Sequence, residues 1–323
     1  MEDITAKLKE LFGDRVKEHE PMAKHSTYRV GGEADWFVEA RSVEDVIGAT
    51  RVARDAGVPM VVIGGGTNVL FSDEGFRGIV LQMALRKVEI NGSNVVAEAG
   101  ALTALTARQS AEAGLEGFEW GASLPGTMGG AVRGNAGCFG GEMKDNVSMV
   151  EVLRDGEVVQ LTNADLQFGY RDSILKHNGD IVLRVELALH PGDSEILKAR
   201  VAELVEKRNA SQPLSAGSAG CAFKNYNLKS DEELARVQAV ADLPGQMQAD
   251  RRIATGWLID QLGLKGKMLG DAKISEKHGN FILNRGHATA QNIFDLIQEI
   301  KSAVREKFGI ELEEEIQLIG FSN

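Results

Sequence analysis

The sequence predicts a mixed α+β chain built in two parts, and three observations carry that reading. Short apolar strands alternate with helices through the first third, paired strands flank a hairpin turn in the middle, and amphipathic helices fill the last third before a final strand. The change of pattern falls near residues 190–215. The expected division is therefore 1–205, in lobes of about 1–80 and 81–205, and 206–310, with 311–320 able to pack back on the first part.

The elements follow in order. MEDITAKLKELFGDR alternates charged and apolar residues and lacks a hydrophobic core region, so it reads as a short amphipathic helix and not a signal peptide. Ala34 to Ala40 is a strand, and Ser42 caps a helix with Asp45 at the reciprocal position, ending near Gly57. PMVVI, GIVLQM and NVVAEAG are strands, the last two joined by a turn at Asn91-Gly92. A helix covers Leu102 to Ala113 and stops at Gly114. VSMVEVL and EVVQLT flank Asp155-Gly156, a strong hairpin signal. DIVLRVELAL is a strand, Ser194 to Arg208 a charged helix, and Ala249 to Leu262 a further helix. Thr289 caps a long final helix with Ile293, Leu296, Ile297, Ile300 and Val304 on one stripe; Gly309 ends it, and ELEEEIQLIG reads as the last strand.

Composition narrows the function. A net charge of -11 argues against a general nucleic-acid binder but leaves room for a basic pocket that takes an anionic small ligand. No apolar run approaches the length of a membrane span. Two cysteines in a chain of 323 residues fit a reducing, cytoplasmic compartment. The six histidines are scattered, with no HExxH and no Cys-x-x-Cys, so no metal site is expected.

Two glycine blocks point to a large nucleotide. VVIGGGTNVL sets Gly64, Gly65 and Gly66 and the Thr67-Asn68 pair after a buried strand, where successive backbone N–H groups can converge on phosphate oxygens. It is neither a Walker A loop nor a dinucleotide GxGxxG fingerprint, and alone it could be a tight turn. From Glu116 to Glu142 nine of 27 residues are glycine, interleaved with Trp120, Leu124, Met128 and Val132, which a flexible linker does not explain. PGTMGG (Pro125, Gly126, Thr127, Gly129, Gly130) and RGNAG (Asn135, Ala136, Gly137) let backbone approach a bulky ligand or a crowded neighbouring segment. Together the blocks suit an extended dinucleotide, and a flavin-adenine dinucleotide fits without being singled out.

Ordered motifs across nearly the whole chain carry a resemblance. They are STYRVGGEAD at 26–35, VVIGGGTNVLFSDEGFRGIV at 61–80, SLPGTMGGAVRGNAGCFGGE at 123–142, FGYRDSIL at 168–175, SAGCAFKN at 218–225, GWLIDQLGLKG at 256–266, SEKHGNFILN at 275–284 and LEEEIQLIG at 312–320. In these the chain resembles the UDP-N-acetylenolpyruvoylglucosamine reductases (the MurB family) of peptidoglycan precursor synthesis. The resemblance implies a two-lobed FAD module of the vanillyl-alcohol-oxidase type followed by an α+β substrate-binding domain. The short stretch between Tyr170 and SAGC favours the family's second branch, type II. Tyr226 and Asp271 depart from the common pattern.

What the resemblance implies chemically is specific. NADPH reduces bound FAD, and hydride then passes to C3 of the enolpyruvyl group of UDP-N-acetylglucosamine enolpyruvate, with a proton to C2, giving UDP-N-acetylmuramate. Cys221 matches the family's proton donor; an ordinary thiol, with a pKa of about 8.5, is protonated near pH 7 and can donate. Arg171 offers a guanidinium fork to the substrate carboxylate as charge develops on it. Glu315 assists the enol intermediate by hydrogen bonding in its protonated form; alternation in a strand would put it on the same face as Glu313, so pattern alone does not choose between them. The resemblance adds Ile181 to the flavin contacts and Lys224, Asn225 and Tyr170 to the substrate contacts. Cys138 reads as packing, and the expected assembly state is a monomer. The readings that compete are another FAD oxidoreductase of the same fold, a cysteine-dependent transferase or hydrolase, and a non-catalytic nucleotide-binding domain.

Overall fold

The computed structural model describes residues 4–213 and 216–321. The chain divides into two compact units that are not contiguous in sequence: the first takes 1–20, 34–66 and 76–210, and the second 21–33, 67–75 and 211–323. Two excursions from the N-terminal half, 21–33 and 67–75, thus belong with the C-terminal residues, where a single cut at 205/206 would not put them.

In the first unit the alternation of strand and helix produces a four-stranded sheet in the order Val16–Pro21, Glu33–Ala40, Phe76–Met83, Met60–Ile63. Phe76–Met83 runs parallel to both neighbours, with Phe37 opposite Val80 and Val61 opposite Val80 on its other edge. The helix Val43–Ala56 makes the connection; Ser42 accepts from the Asp45 N–H at 3.2 Å as expected, and Gly57 closes the helix at φ +64°. A second sheet is wholly antiparallel, in the order Glu157–Thr162, Val147–Arg154, Ile181–Ala188, Asn94–Glu98, Val88–Asn91. The Asp155-Gly156 turn joins its first two strands with positive φ at both residues. The Asn91-Gly92 turn joins Val88–Asn91 to Asn94–Glu98, so the strand it serves is one that the sequence reading missed, and GIVLQM lies in the other sheet. One core, from Leu8 and Phe12 through Val150 to Leu204, fills this unit.

The second unit has its own core, built on the predicted stripe of the helix Ala290–Phe308. Thr289 and Asn292 form a reciprocal cap at the start of that helix, and the Asp73 carboxylate accepts from the Ala290 and Gln291 N–H groups at 2.8 and 2.9 Å. Against it lies a small antiparallel sheet of Met268–Leu269, Ala272–Ile274 and Ile282–Asn284. Two expectations fail here. The helix expected over 249–262 is broken into Gly245–Ala249 and Thr255–Gln261, because Arg251 turns left-handed at φ +50° and Arg252–Ile253 pairs as a strand with Tyr226–Asn227. The last strand is only Gln317–Ile319, parallel to Val69–Phe71; residues 313–315 bond elsewhere.

Asp45 offers a direct test of how the first unit is tied. Burial alone would push its carboxyl up, yet hydrogen bonds from the Arg15 guanidinium and the Arg41 N–H (2.8 Å) outweigh burial and hold it below the ordinary carboxylate range. Its folded value being depressed, the stabilisation is present above the unfolded value, about 3.9, and is lost as pH falls through the lower folded one. Asp45→Asn should therefore cost about 1–3 kcal/mol at pH 7 and less as the pH is lowered toward 2. Urea unfolding at the two pH values measures the difference; an equal loss at both would show that the charge contributes nothing.

Candidate active site

In the first unit the turn after Met60–Ile63 carries Gly64, Gly65 and Gly66, the last at φ +63°. A side chain at Gly64 would place its Cβ 2.2 Å from the Thr127 hydroxyl, so this glycine lets the two predicted blocks close on each other. Gly65 and Gly130 are exposed, and Gly126 turns at φ +107°. The exposed backbone at Gly65 and Gly130 leaves room for a ligand. Other members of the blocks are committed to the protein. The N–H groups of Met128 and Gly129 donate to the carbonyls of Ala101 and Ala99 at 2.9 Å each. Gly141 is a glycine because the Trp120 ring occupies the place of its Cβ, 2.3 Å away. Part of the glycine density is therefore packing, the second of the two reasons the sequence left open.

Asn135 is wholly buried and left-handed at φ +39°. Its amide donates to the Glu142 carboxylate at 3.0 Å and to the Gly169 carbonyl at 2.8 Å, while its oxygen accepts from the Lys144 N–H at 3.0 Å. The side chain thus anchors the GYRDS turn, in which Gly169 and Asp172 exchange backbone hydrogen bonds and Arg171 sits at φ +54°. Arg171 Nη2 donates to the Gly137 carbonyl at 2.8 Å, and its guanidinium lies 5.5 Å from the Tyr170 ring centre. Arg171, Tyr170, Asn135 and Gly137 are thereby brought together. Ala136 hydrogen-bonds within the same loop, donating to Ala131 and accepting from Met143. Pro125 is exposed beside them in sequence, and Ile181 begins a strand of the antiparallel sheet, half-buried against the core. Burial pushes the Cys138 thiol up despite its contact with Ser123 Oγ at 3.0 Å, consistent with packing.

In the second unit, Cys221 lies in a segment held on both sides. Cys221 bridges Phe281, Ala222 N–H donates to the Asn280 carbonyl at 2.8 Å, and Phe223 bridges Glu314. On that second side Lys224 N–H donates to the Glu313 carbonyl at 2.9 Å and Glu315 N–H to the Ala222 carbonyl at 2.8 Å. Asn68 Nδ2 then donates to the Glu315 carbonyl at 2.9 Å, and Gln317 N–H returns to the Asn68 carbonyl. Asn68 is thus a brace for Glu315, while Thr67 precedes it half-buried. Glu313 and Glu315, which strand alternation could not tell apart, are now distinct. Glu313 is exposed and pairs with the Lys224 ammonium, half-buried Glu314 pairs with Lys301 at 2.7 Å, and Glu315, also half-buried, donates its N–H to the Ala222 carbonyl in the cysteine's segment. Asn225 accepts from the Thr255 N–H at 3.2 Å.

Sequence reasoning missed Asn280. It is almost fully buried, and its side chain pairs with both backbone groups of Phe223: Nδ2 donates to the carbonyl at 2.8 Å and Oδ1 accepts from the N–H at 3.0 Å. The only signal was a polar amide inside the apolar run of SEKHGNFILN. Among the described residues no cluster of three or more His, Cys, Asp or Glu could hold a metal, and no helix is long and apolar enough to cross a membrane.

Comparison with known proteins fixes first the class and then the family. The model of an FAD binding domain matches residues 34–162, so the chain is a flavoprotein whose α+β fold joins an FAD-binding module to a C-terminal α+β domain. The model of the UDP-N-acetylenolpyruvoylglucosamine reductase C-terminal domain matches residues 212–319. The chain is 38% identical to the UDP-N-acetylenolpyruvoylglucosamine reductase of Clostridioides difficile over 96% of its length and 95% of that protein. Against the enzyme of the same name from Geobacillus kaustophilus it is 38% identical, over 99% and 98%. The crystal structure of UDP-N-acetylenolpyruvylglucosamine reductase (MurB) from Thermus caldophilus matches with a TM-score of 0.76 and 35% identity, over 94% of this chain and 99% of that one. This chain belongs to the UDP-N-acetylenolpyruvoylglucosamine reductase family.

Asn280→Ala should strand the Phe223 N–H and C=O in a buried place, costing about 2–4 kcal/mol for the two groups together. Asn280→Asp keeps the acceptor and loses the donor, and should fall between alanine and the natural residue. Thermal melts of the three proteins give the ranking; an alanine variant as stable as the parent would mean that another partner replaces the amide.

Proposed function

We propose that the chain reduces UDP-N-acetylglucosamine enolpyruvate to UDP-N-acetylmuramate with NADPH as the reductant, Cys221 as proton donor, Arg171 as the carboxylate partner and Glu315 as the stabiliser of the enol. Family membership supplies the reaction. FAD, when bound, would supply the hydride chemistry that links NADPH to the enolpyruvyl group.

The residues do the rest. As negative charge spreads from C2 to the carboxylate, the Arg171 fork strengthens its hold, which lowers the barrier because the gain exceeds that in the ground state. Cys221 gives its proton to C2. Glu315 hydrogen-bonds the enol oxygen, and Lys224, Asn225 and Tyr170 bind the rest of the UDP-sugar, Lys224 exchanging Glu313 for an anionic group. The observation that carries this reading is the 2.8 Å hydrogen bond from the Glu315 N–H to the Ala222 carbonyl, which sets the acid beside the donor's own segment. In this reading 1–205 is chiefly the flavin module and 206–310 the substrate domain, and the enzyme works as a cytoplasmic monomer of the family's second branch.

Rapid mixing separates the two half-reactions by the visible flavin band. With Cys221→Ala, bleaching by NADPH should proceed nearly as in the parent, while return of colour with the enolpyruvyl nucleotide slows by roughly 10²–10⁴-fold. Cys221→Ser should keep substantially more activity, because a hydroxyl can donate from the same place. Unimpaired return of colour in the alanine variant would remove Cys221 from the donor role.

The glutamates give a second comparison. Glu315→Gln should slow the return of colour markedly. Glu313→Gln only loosens an ion pair whose carboxylate is largely exposed, and should change it by less than about fivefold, a pair of that kind being worth under ~1 kcal/mol. Equal losses would show that the carboxylate assignment is wrong.

A further inference from the structure

Arg171 occupies a place in the backbone that favours glycine. It is the third residue of the turn 169–172, whose end residues exchange backbone hydrogen bonds, and its φ is +54°. A side chain with a Cβ is strained there, so the surroundings must hold it. The chain just beyond the turn does so from a fixed base. Ser173 and Leu175 are buried, Ser173 Oγ donates to the Arg133 carbonyl at 2.8 Å, and the Ile174 N–H donates to the Leu166 carbonyl at 2.9 Å. From this base two consecutive side chains reach back, each across five residues. Lys176 Nζ donates to the Arg171 carbonyl at 2.6 Å, and His177 Nε2 lies 3.0 Å from both carboxylate oxygens of Asp172.

The two contacts do different things. An ammonium on a carbonyl makes a charge-assisted bond, and it fixes the peptide that follows Arg171, so the left-handed turn does not relax. Asp172 raises the second problem, because a carboxylate next to an arginine in sequence can compete with an anionic ligand for the guanidinium fork. Both of its oxygens are instead engaged by His177. Burial pushes the Asp172 carboxyl up, but His177 and then Lys176 outweigh burial and hold it below its ordinary value, so it is the ionised member of the pair. Arg171 is meanwhile steadied through one arm alone, Nη2, on the Gly137 carbonyl at 2.8 Å.

We propose that Lys176 and His177 are positioning residues for Arg171: Lys176 fixes the turn that presents the guanidinium, and His177 occupies Asp172 so that the guanidinium stays available to a substrate carboxylate. The inference rests on Arg171 being the carboxylate partner, and it adds two residues that act through it.

Calorimetric titration of the FAD-loaded protein with two nucleotides isolates the carboxylate contact. UDP-N-acetylmuramate carries a carboxylate and UDP-N-acetylglucosamine does not. His177→Leu should weaken the first by about tenfold and the second by less than about twofold. His177 is largely exposed, and a pair of that kind contributes little to stability, so this variant should melt close to the parent. Adding Asp172→Asn to His177→Leu removes the competing charge and should restore most of the lost affinity. Lys176→Met should show the same selective loss, and Lys176→Arg much less of it. Neither His177→Leu nor Lys176→Met should weaken binding further in an Arg171→Ala protein.

Equal weakening of both nucleotides by His177→Leu overturns the proposal, because the pair would then serve only the fold. So does a His177→Leu/Asp172→Asn protein that binds no better than His177→Leu alone. An Arg171→Ala protein that binds both nucleotides like the parent overturns the carboxylate reading itself, and this inference falls with it. That one variant tells the two failures apart.

Discussion

Every backbone N–H and C=O in residues 222–224 needs a partner once the segment is buried, and three distant stretches of chain supply them. Asn280 gives a carbonyl to Ala222 and a side-chain amide to both polar groups of Phe223, residues 313–315 complete the other edge, and the Thr255 hydroxyl donates to the Lys224 carbonyl at 2.6 Å. Leaving any of these groups unmade would cost on the order of 1–3 kcal/mol, so the three stretches are held in one register. Cys221 and Glu315 inherit their positions from that ladder. The C-terminal segment cannot continue as one strand, because after Glu315 its partners change from 222–224 to Asn68 and the strand Val69–Phe71.

The first unit solves a different problem. It must leave backbone open for a cofactor while packing a core, and its glycines divide between the two tasks. Gly64 allows the Thr127 hydroxyl to come close, and Gly65 and Gly130 stay open, whereas Gly141 yields its side-chain volume to Trp120. Asn135 links the tasks: its amide donates to Gly169 in the GYRDS turn and to Glu142, its oxygen accepts from the Lys144 N–H, and the left-handed Arg171 lies in the turn so tied to the glycine block. A non-glycine residue in that conformation is maintained only where its surroundings over-determine it.

Electrostatically the two cysteines differ in what surrounds them. Cys138 is kept neutral by burial and contacts Ser123 and the Trp120 carbonyl. Cys221 instead lies on a segment bonded to a glutamate whose acidic neighbours are both engaged by lysines. In the run ELEEE, a uniform acidic patch by composition, Glu311, Glu313 and Glu314 pair with Arg305, Lys224 and Lys301 respectively.

Much of this was legible in the sequence, because the signals are local. Alternation, caps and turn residues act over a few positions, so the helix Val43–Ala56 with its Ser42 cap, the Asp155-Gly156 hairpin and the final apolar stripe could be read directly. The glycine blocks pointed to a large nucleotide, and the ordered motifs carried the resemblance to the family to which the chain belongs. Period could not show that 249–262 breaks at Arg251, that 21–33 and 67–75 join the C-terminal unit, or that 313–315 leaves the last strand. Nor could it find Asn280, a single residue whose importance lies in the backbone it meets across a long separation in sequence. Local preference set the elements, and the pairing of buried polar groups, which only the folded chain brings together, decided which side chains share a site.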